Sequence, residues 1–328
     1  MLIYRNLLKE GTDQLQLVCP EDAAFDARQL LLLASGLSQT ALLLNADQSV
    51  PAAVEDRYRQ LVQQRTEGIP LQYLLGEWDF YGNTFFVGEG VLIPRPETEC
   101  LVDFALDYIH QQKDWQTRSW NILDLCAGTG CIGISLLLQL PNAKVYFLEK
   151  SEAAVSFLHR NVEQYGLQER SVIRQGSLFD GFPASSFPVP DLLLSNPPYL
   201  RTEELEQLQT ELKREPVLAL DGGKDGLSFY RNLREQWLPH LSSGSFFAVE
   251  GGEDQAPQIA ALFSTACKQT EMKQDPYGIT RFVLGINKRK SLFPLTKIGF
   301  FSILLIYEFL FILKERELAH AYFCPSQW

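Results

Sequence analysis

The chain has 328 residues, 46% apolar and 21% charged, with 29 basic against 40 acidic side chains and a formal net charge of −11. That length predicts two domains, and the composition excludes a disordered, collagen-like or low-complexity chain. Residues 1–287 carry a net charge of −14, and so acidic a body repels phosphate backbones, which disfavours a nucleic-acid substrate.

Residues 1–75 read as helical. The stretch 22–34 is rich in Ala and Leu, both strong helix formers, and Gly36 is its stop. A second helix is predicted over 54–67, where Val54, Tyr58, Leu61 and Val62 share one face. Gly68 and Pro70 end it. From 76 to 93 aromatic and apolar residues alternate with Gly82-Asn83 and Gly88, which reads as a β-hairpin linker. Pro94-Arg95-Pro96-Glu97-Thr98-Glu99 then starts a helix, with proline in its first turn and acids beside it.

After Asn121 strand and helix signals alternate. Strands are predicted at 121–125, 144–148, 171–175, 191–194, 244–250 and 281–285. Helices are predicted at 132–140, 152–165, 229–237 and 255–267. This alternation predicts an α/β fold with a mostly parallel sheet covered on both faces. The tail is different in kind. Its apolar run over 298–313 is interrupted by Glu308 and is shorter than the ~20 residues a spanning helix needs. A membrane span there is disfavoured, leaving a packed helix or a non-native extension. The N-terminus lacks the basic start and long apolar run of a signal peptide. The six cysteines form no CxxC pair and there are only four histidines. No metal site is expected, and the thiols read as reduced, in a cytoplasmic protein.

Two segments carry chemistry. Asp124-Leu125-Cys126-Ala127-Gly128-Thr129-Gly130 leaves a predicted strand and enters a helix, and Glu149 closes the next strand. Glycines let that backbone turn tightly against a ligand. An acid at the end of the second strand takes ribose hydroxyls. Gly128-Thr129-Gly130-Cys131-Ile132-Gly133 nearly completes a dinucleotide fingerprint, so NAD stands as an alternative. The acid that opens the loop, Asp124, better suits a ligand with an ammonium and a sulfonium, as in class I S-adenosylmethionine methyltransferases, whose motif it resembles. Cys126 and Cys131 read as packing residues, since no histidine lies nearby in sequence to activate them.

The second segment is Ser195-Asn196-Pro197-Pro198-Tyr199, after the apolar strand. Alone it reads equally as a rigid turn. With the loop it resembles the signature of enzymes that methylate planar nitrogen. An amide lone pair is conjugated with its carbonyl, and the ~18–20 kcal/mol rotation barrier measures that conjugation. Two acceptors, the Asn196 side-chain carbonyl and the Pro197 backbone carbonyl, can hold an NH₂ group and aim its lone pair. Proline's fixed φ sets the direction of the second, and Tyr199 offers a flat face.

The chain resembles the release-factor glutamine N5-methyltransferase family (the HemK/PrmC family) over about residues 1–287. The resemblance rests on Pro70–Gly76, Asp79–Gly82, Leu92–Glu99, Asp124–Gly130, Ser195–Tyr199, Glu215-Pro216 with Ala219-Leu220, and Asp221–Arg231. It implies a class I, Rossmann-like methyltransferase domain over 94–287. Before it come a helical substrate-recognition domain (1–75) and a β-hairpin linker (76–93). The tail 288–328 has no counterpart. It implies S-adenosylmethionine as cofactor, with Cys126, Ala127, Gly128, Thr129 and Gly130 around its methionine part, Glu149 on the ribose, Leu178 at the adenine and Asn196 touching both cofactor and substrate. It implies the Gly-Gly-Gln glutamine of peptide chain release factors as substrate, held by Asn196, Pro197, Pro198 and Tyr199, with Arg95 and Glu97 shaping the substrate loop or only starting a helix. Two positions depart from the pattern. Glu149 stands where aspartate is commoner, and Ser177 stands where many members have aspartate.

The alternatives are an adenine-N6 DNA methyltransferase, a non-catalytic membrane-tethered release-factor binder, and an NAD-linked dehydrogenase. The charge of the body counts against the first. The complete loop and tetrapeptide count against the second. The third lacks a catalytic His or Lys constellation. A monomer without direct nucleic-acid contact is expected.

Overall fold

A computed structural model describes residues 2–288. The apolar run 298–313 and the rest of the tail after Lys288 lie outside them. Five helices come first: α1 (Tyr4–Leu15), α2 (Ala23–Ser35), α3 (Gln39–Leu44), α4 (Ala52–Thr66) and α5 (Leu71–Leu75). Their apolar stripes meet in one core that includes Leu7, Leu15, Leu30, Leu31, Tyr58 and Val62. Gly36 stops α2 as its composition predicts. It adopts φ +66° and its N–H returns to the Leu32 carbonyl. α1 and α4 approach closely at Gly11, where a Cβ would lie 2.0 Å from the Tyr58 hydroxyl. Inside this bundle Arg65 and Asp26 form a buried ion pair, Nε to Oδ2 2.6 Å.

Strands β1 (Glu77–Phe80) and β2 (Asn83–Phe86) form the hairpin. Its turn is Tyr81-Gly82, with φ +52° and +69°. Two successive positive φ values match the right-handed twist of a two-residue hairpin. Residues 87–93 are not strand. Pro96–Thr98 makes one 3-10 turn and α6 (Glu99–His110) follows.

The remaining elements build one seven-stranded sheet. In chain order they are β3 (Trp120–Leu125), α7 (Cys131–Gln139), β4 (Ala143–Glu149), α8 (Glu152–Gln164), β5 (Ser171–Gln175), β6 (Leu192–Ser195), α9 (Ser228–Asn232), β7 (Phe246–Glu250), α10 (Ala256–Ser264), β8 (Cys267–Gln274) and β9 (Thr280–Asn287). The strand order is β5-β4-β3-β6-β7-β9-β8, with β9 running opposite to the other six. Alternate residues feed two cores, as a covered parallel sheet requires. Ile122, Val145, Phe147, Leu192 and Leu194 face α6, α7 and α8. Leu123, Leu148, Leu193, Phe247 and Val249 face the layer of Tyr230, Trp237, Ile259 and Phe263.

Two elements differ from expectation. The helix over 229–237 is α only to Asn232 and widens to a π-helix over Leu233–Trp237. β8 was not expected. Its sequence, Cys-Lys-Gln-Thr-Glu-Met-Lys-Gln, is mostly exposed, and a polar edge strand carries no apolar period to read.

Chain direction reverses outward from the β3–β6 pair, and ligands of open α/β sheets sit at the carboxyl ends of such a pair. The register aligns Leu125 with Ser195. The Ser195 hydroxyl donates to the Leu125 carbonyl at 2.7 Å. The Gly-rich loop and the tetrapeptide therefore leave the sheet side by side.

Candidate functional site

The loop after β3 is shaped by three left-handed residues, Cys126 (φ +58°), Gly128 (+54°) and Gly130 (+80°). At Gly130 a side chain would strike Leu158 at 2.2 Å, whereas at Gly128 the nearest atom is Val91 Cγ2 at 3.9 Å. Gly130 thus serves packing, and Gly128 leaves bare backbone at the cavity. Asn161 of α8, fully buried, ties this loop to the hairpin. Its Oδ1 accepts from Phe86 N–H (2.7 Å), and its Nδ2 donates to the carbonyls of Phe86 (3.2 Å) and Thr129 (3.0 Å).

This loop, the end of β4, the turn after β5 and the tetrapeptide enclose a cavity with about 940 Å³ of empty space, open solvent at its mouth included. Cys126, Ala127, Gly128, Thr129, Glu149, Leu178, Asn196, Pro198 and Arg95 all lie on its wall. Asp124, Gly130, Pro197, Tyr199 and Glu97 do not. Phe179 and Phe229 complete an apolar side, ring centroids 5.0 Å apart and edge to face. The Ser177 hydroxyl accepts from Phe179 N–H and caps the short turn Leu178–Asp180, with Asp180 accepting the Ser177 N–H in return.

Glu149 is held by three backbone donors. Lys150 N–H (2.7 Å) and Ser151 N–H (2.8 Å) reach Oε1, and Gly128 N–H (2.8 Å) reaches Oε2. Burial raises its carboxyl, and these donors pull it back in part. Asp124 is fully buried. Its Oδ2 accepts Gly133 N–H at 2.9 Å, and its Oδ1 has no partner. Burial pushes this carboxyl up to about 8. Asp124 thereby takes up the Gly133 N–H, one of the first-turn donors of α7 that a pyrophosphate would need, which counts against the dinucleotide alternative. Burial also raises the Cys126 thiol well above its usual range and pushes Cys131 up to about 12, so neither is a thiolate nucleophile at neutral pH.

These features fit S-adenosylmethionine. Bare backbone at Gly128 admits close approach, Glu149 suits a diol, and Leu178 with the two phenylalanines suits a flat ring. Among the described residues there is no cluster of metal-ligating side chains, and no helix is long and apolar enough to cross a membrane.

A second cavity adjoins the first. Leu92, Leu200, Leu208, Leu212 and Leu220 line it together with Arg95, Asn196 and Tyr199. Asn196 and Arg95 border both cavities. Asn196 Nδ2 donates to Thr98 Oγ1 at 3.0 Å, which turns its Oδ1 the other way. Arg95 is ion-paired to Glu215, whose second oxygen accepts Ile93 N–H at 3.1 Å. Burial pushes the Tyr199 phenol up to about 12, so it is un-ionised. Glu97 sits in the first turn of the 3-10 segment before α6, on neither cavity wall.

The wall made by Leu208 and Leu212 is held by the helical bundle. Arg65 Nη2 reaches Glu211 Oε1 at 2.5 Å, and Arg214 donates to the Glu67 carbonyl at 2.9 Å. Sequence reading missed Thr98, Asn161, Leu208, Leu212 and Glu215 as site residues. Thr98 and Glu215 fall in stretches that carry the family resemblance. The others sit in ordinary helix and loop sequence with no local signal.

Proteins of known name resemble this chain over about four-fifths of its length. Residues 6–76 match the model of the PrmC N-terminal domain, and residues 103–222 match the methyltransferase small domain. A release factor glutamine methyltransferase from Geobacter sulfurreducens is 39% identical over 267 residues, covering 81% of this chain and 90% of the relative. One from Aquifex aeolicus is 32% identical over 259 residues, covering 79% and 89%. A solved protein-(glutamine-N5) methyltransferase (release factor-specific) from Alicyclobacillus acidocaldarius aligns at 25% identity and a TM-score of 0.36, covering 62% of this chain and 100% of that one. With such identity sustained across both the helical bundle and the methyltransferase sheet, the chain belongs to the release factor glutamine methyltransferase family.

Proposed function

We propose that this protein transfers a methyl group from S-adenosylmethionine to the side-chain amide nitrogen (N5) of the glutamine in the Gly-Gly-Gln motif of peptide chain release factors, in support of translation termination. The observation that carries this reading is the shared wall. A donor in the Gly-loop cavity and an amide in the leucine-lined cavity meet at Asn196. The names of the relatives supply the release factor as substrate.

S-adenosylmethionine, when bound, supplies a methyl group on a sulfonium and leaves as a neutral thioether. Cys126, Ala127, Gly128, Thr129 and Gly130 would hold its methionine part, Glu149 its ribose hydroxyls and Leu178 its adenine, with the Asp124 carboxyl behind the loop. On the acceptor side the protein's task is orientation, worth many powers of ten when two groups are held in line. Asn196 Oδ1 and the Pro197 carbonyl accept from the glutamine NH₂ and turn its lone pair out of conjugation. Pro197 and Pro198 stiffen that turn, and Tyr199 packs on the amide plane. These acceptors bind more strongly as positive charge grows on nitrogen. The surplus amide proton is released to solvent. The leucines surround the glutamine methylenes, and Arg95, clamped by Glu215, closes the mouth, with Glu97 shaping the loop before α6.

Residues 1–75 are assigned to substrate recognition, 76–93 to the linker and 94–287 to catalysis. The bundle's hold on the acceptor wall through Arg65 and Glu211 supports that division. We place the enzyme in the cytoplasm as a monomer without direct nucleic-acid contact. The test is a peptide map by mass spectrometry of a release factor incubated with the protein and S-adenosylmethionine. One methyl on the Gly-Gly-Gln glutamine, absent with Asn196→Ala while cofactor binding weakens only in part, is expected. Full activity in Asn196→Ala would sink the mechanism.

A further inference from the structure

We propose that Glu250 is a positioning residue, which through the Thr98 hydroxyl sets which end of the Asn196 amide faces the acceptor cavity. Thr98 Oγ1 lies 2.6 Å from Glu250 Oε2 and 3.0 Å from Asn196 Nδ2. Thr98 and Glu250 are 3% and 1% exposed, so water does not compete for these bonds. The three residues come from three places: the turn before α6, the end of β7 and the end of β6. β6 and β7 are paired neighbours, with Ser195 opposite Val249, so Asn196 and Glu250 leave the sheet together.

The argument is one of proton count. A carboxylate only accepts, and a hydroxyl has one proton. When that proton goes to Glu250, Thr98 has only lone pairs left for Asn196. The amide must then present Nδ2 to Thr98, and Oδ1 faces the acceptor cavity. With the amide reversed, a donor would face the donor NH₂ of a glutamine, and the hold on its lone pair would be lost. A buried carboxylate is thus a one-way switch for hydrogen-bond polarity, which a neutral amide is not.

Glu250 has no ion pair among the described residues. Arg281 of β9 is nearby but is paired to Asp275 at 2.7 Å. Arg95 and Glu97 face it from the segment before α6, Cys100 from α6 and Tyr199 from the tetrapeptide. Tyr230 of α9 donates to its backbone carbonyl at 2.7 Å. Burial pushes the Glu250 carboxyl up to about 7, against the Thr98 hydrogen bond and Arg281, which lower it. Once protonated, its O–H donates to Thr98, and the chain no longer dictates the amide's direction. Turnover therefore falls as pH drops through that value.

This inference rests on the amide-methylating reading of the site. Its test measures kcat and KM of the full chain for a release factor, with S-adenosylmethionine affinity by calorimetry, from about pH 6 to about pH 9. The wild type is expected to show an acid limb near 7 in kcat. Glu250→Gln, whose amide imposes no polarity, is expected to lose that limb and run slower at all pH values. Thr98→Val is expected to lower kcat on the order of 10²-fold, with KM and cofactor affinity little changed, and Thr98→Ser to recover most of the rate. An acid limb that persists in Glu250→Gln, or an unchanged kcat in Thr98→Val, overturns the proposal. A wild type that places no methyl on the glutamine overturns the reading of the site and this inference with it.

Discussion

Replacing Asn161 by alanine tests how the cofactor loop is held. The side chain is fully buried and makes three hydrogen bonds to two backbone segments, the hairpin at Phe86 and the loop at Thr129. At ~1 kcal/mol net for each bond the loss is about 3 kcal/mol. In a domain of this size each kcal/mol moves the midpoint by roughly 2–4 °C, so a fall of about 6–12 °C is expected. Because the Thr129 carbonyl is released, S-adenosylmethionine affinity should fall as well, and the upward shift in midpoint on adding the cofactor should shrink. Scanning calorimetry with and without the cofactor reads both. Asn161→Asp is the control. It keeps the acceptor for Phe86 N–H but sets an anion against two carbonyls, so it should be no more stable than the alanine variant. A fall of less than about 2 °C in Asn161→Ala would falsify the view that this amide ties hairpin to loop.

Gly133→Ala places a Cβ 2.4 Å from Phe147 Cε1 and 2.7 Å from Val145 Cγ1, between α7 and β4. A loss of ~1–3 kcal/mol is expected, seen as a lower urea midpoint at unchanged slope. Arg65→Ala leaves Asp26 buried without its partner, which costs about 3–5 kcal/mol. It also frees Glu211 from the bundle, so KM for the release factor should rise more than cofactor affinity falls. Equal changes in the two would count against a link between bundle and acceptor wall. The pH dependence follows from Asp124, held by burial at about 8 in the folded chain against an ordinary 3.8. The folded state keeps this proton after the unfolded chain has lost it. Its contribution is full below the ordinary value and declines as pH rises to about 8. Asp124→Asn cannot titrate, so the midpoint of the cofactor-free variant should decline less than that of the wild type over this range, and parallel curves would refute the assignment.

Much of this protein is legible in its sequence, because much of it is local. The Gly-rich loop needs left-handed residues at Gly128 and Gly130, which glycine supplies. The tetrapeptide needs two prolines beside Asn196. The alternation of strands and helices is an apolar period readable in a short window. The strand β8 escaped because its exposed, polar residues carry no such period. The turn Tyr81-Gly82 escaped because a tyrosine at positive φ is not a local preference.

What only the tertiary structure decided is which distant side chains meet. Thr98 and Glu250 are 152 positions apart, Arg95 and Glu215 120, and Phe86 and Asn161 75. None of these pairs has a signature, since a hydrogen bond between side chains depends on the sheet order and strand register that bring them within 3 Å or so, not on the residues beside them in the chain. The sequence by itself determined the chemistry on offer, an acid-opened glycine loop and an Asn-Pro-Pro-Tyr turn. The order β5-β4-β3-β6-β7-β9-β8 decided that both emerge at one point, and that a buried glutamate and threonine stand behind the amide, because parallel neighbours end together and their carboxyl-end loops share one edge of the sheet.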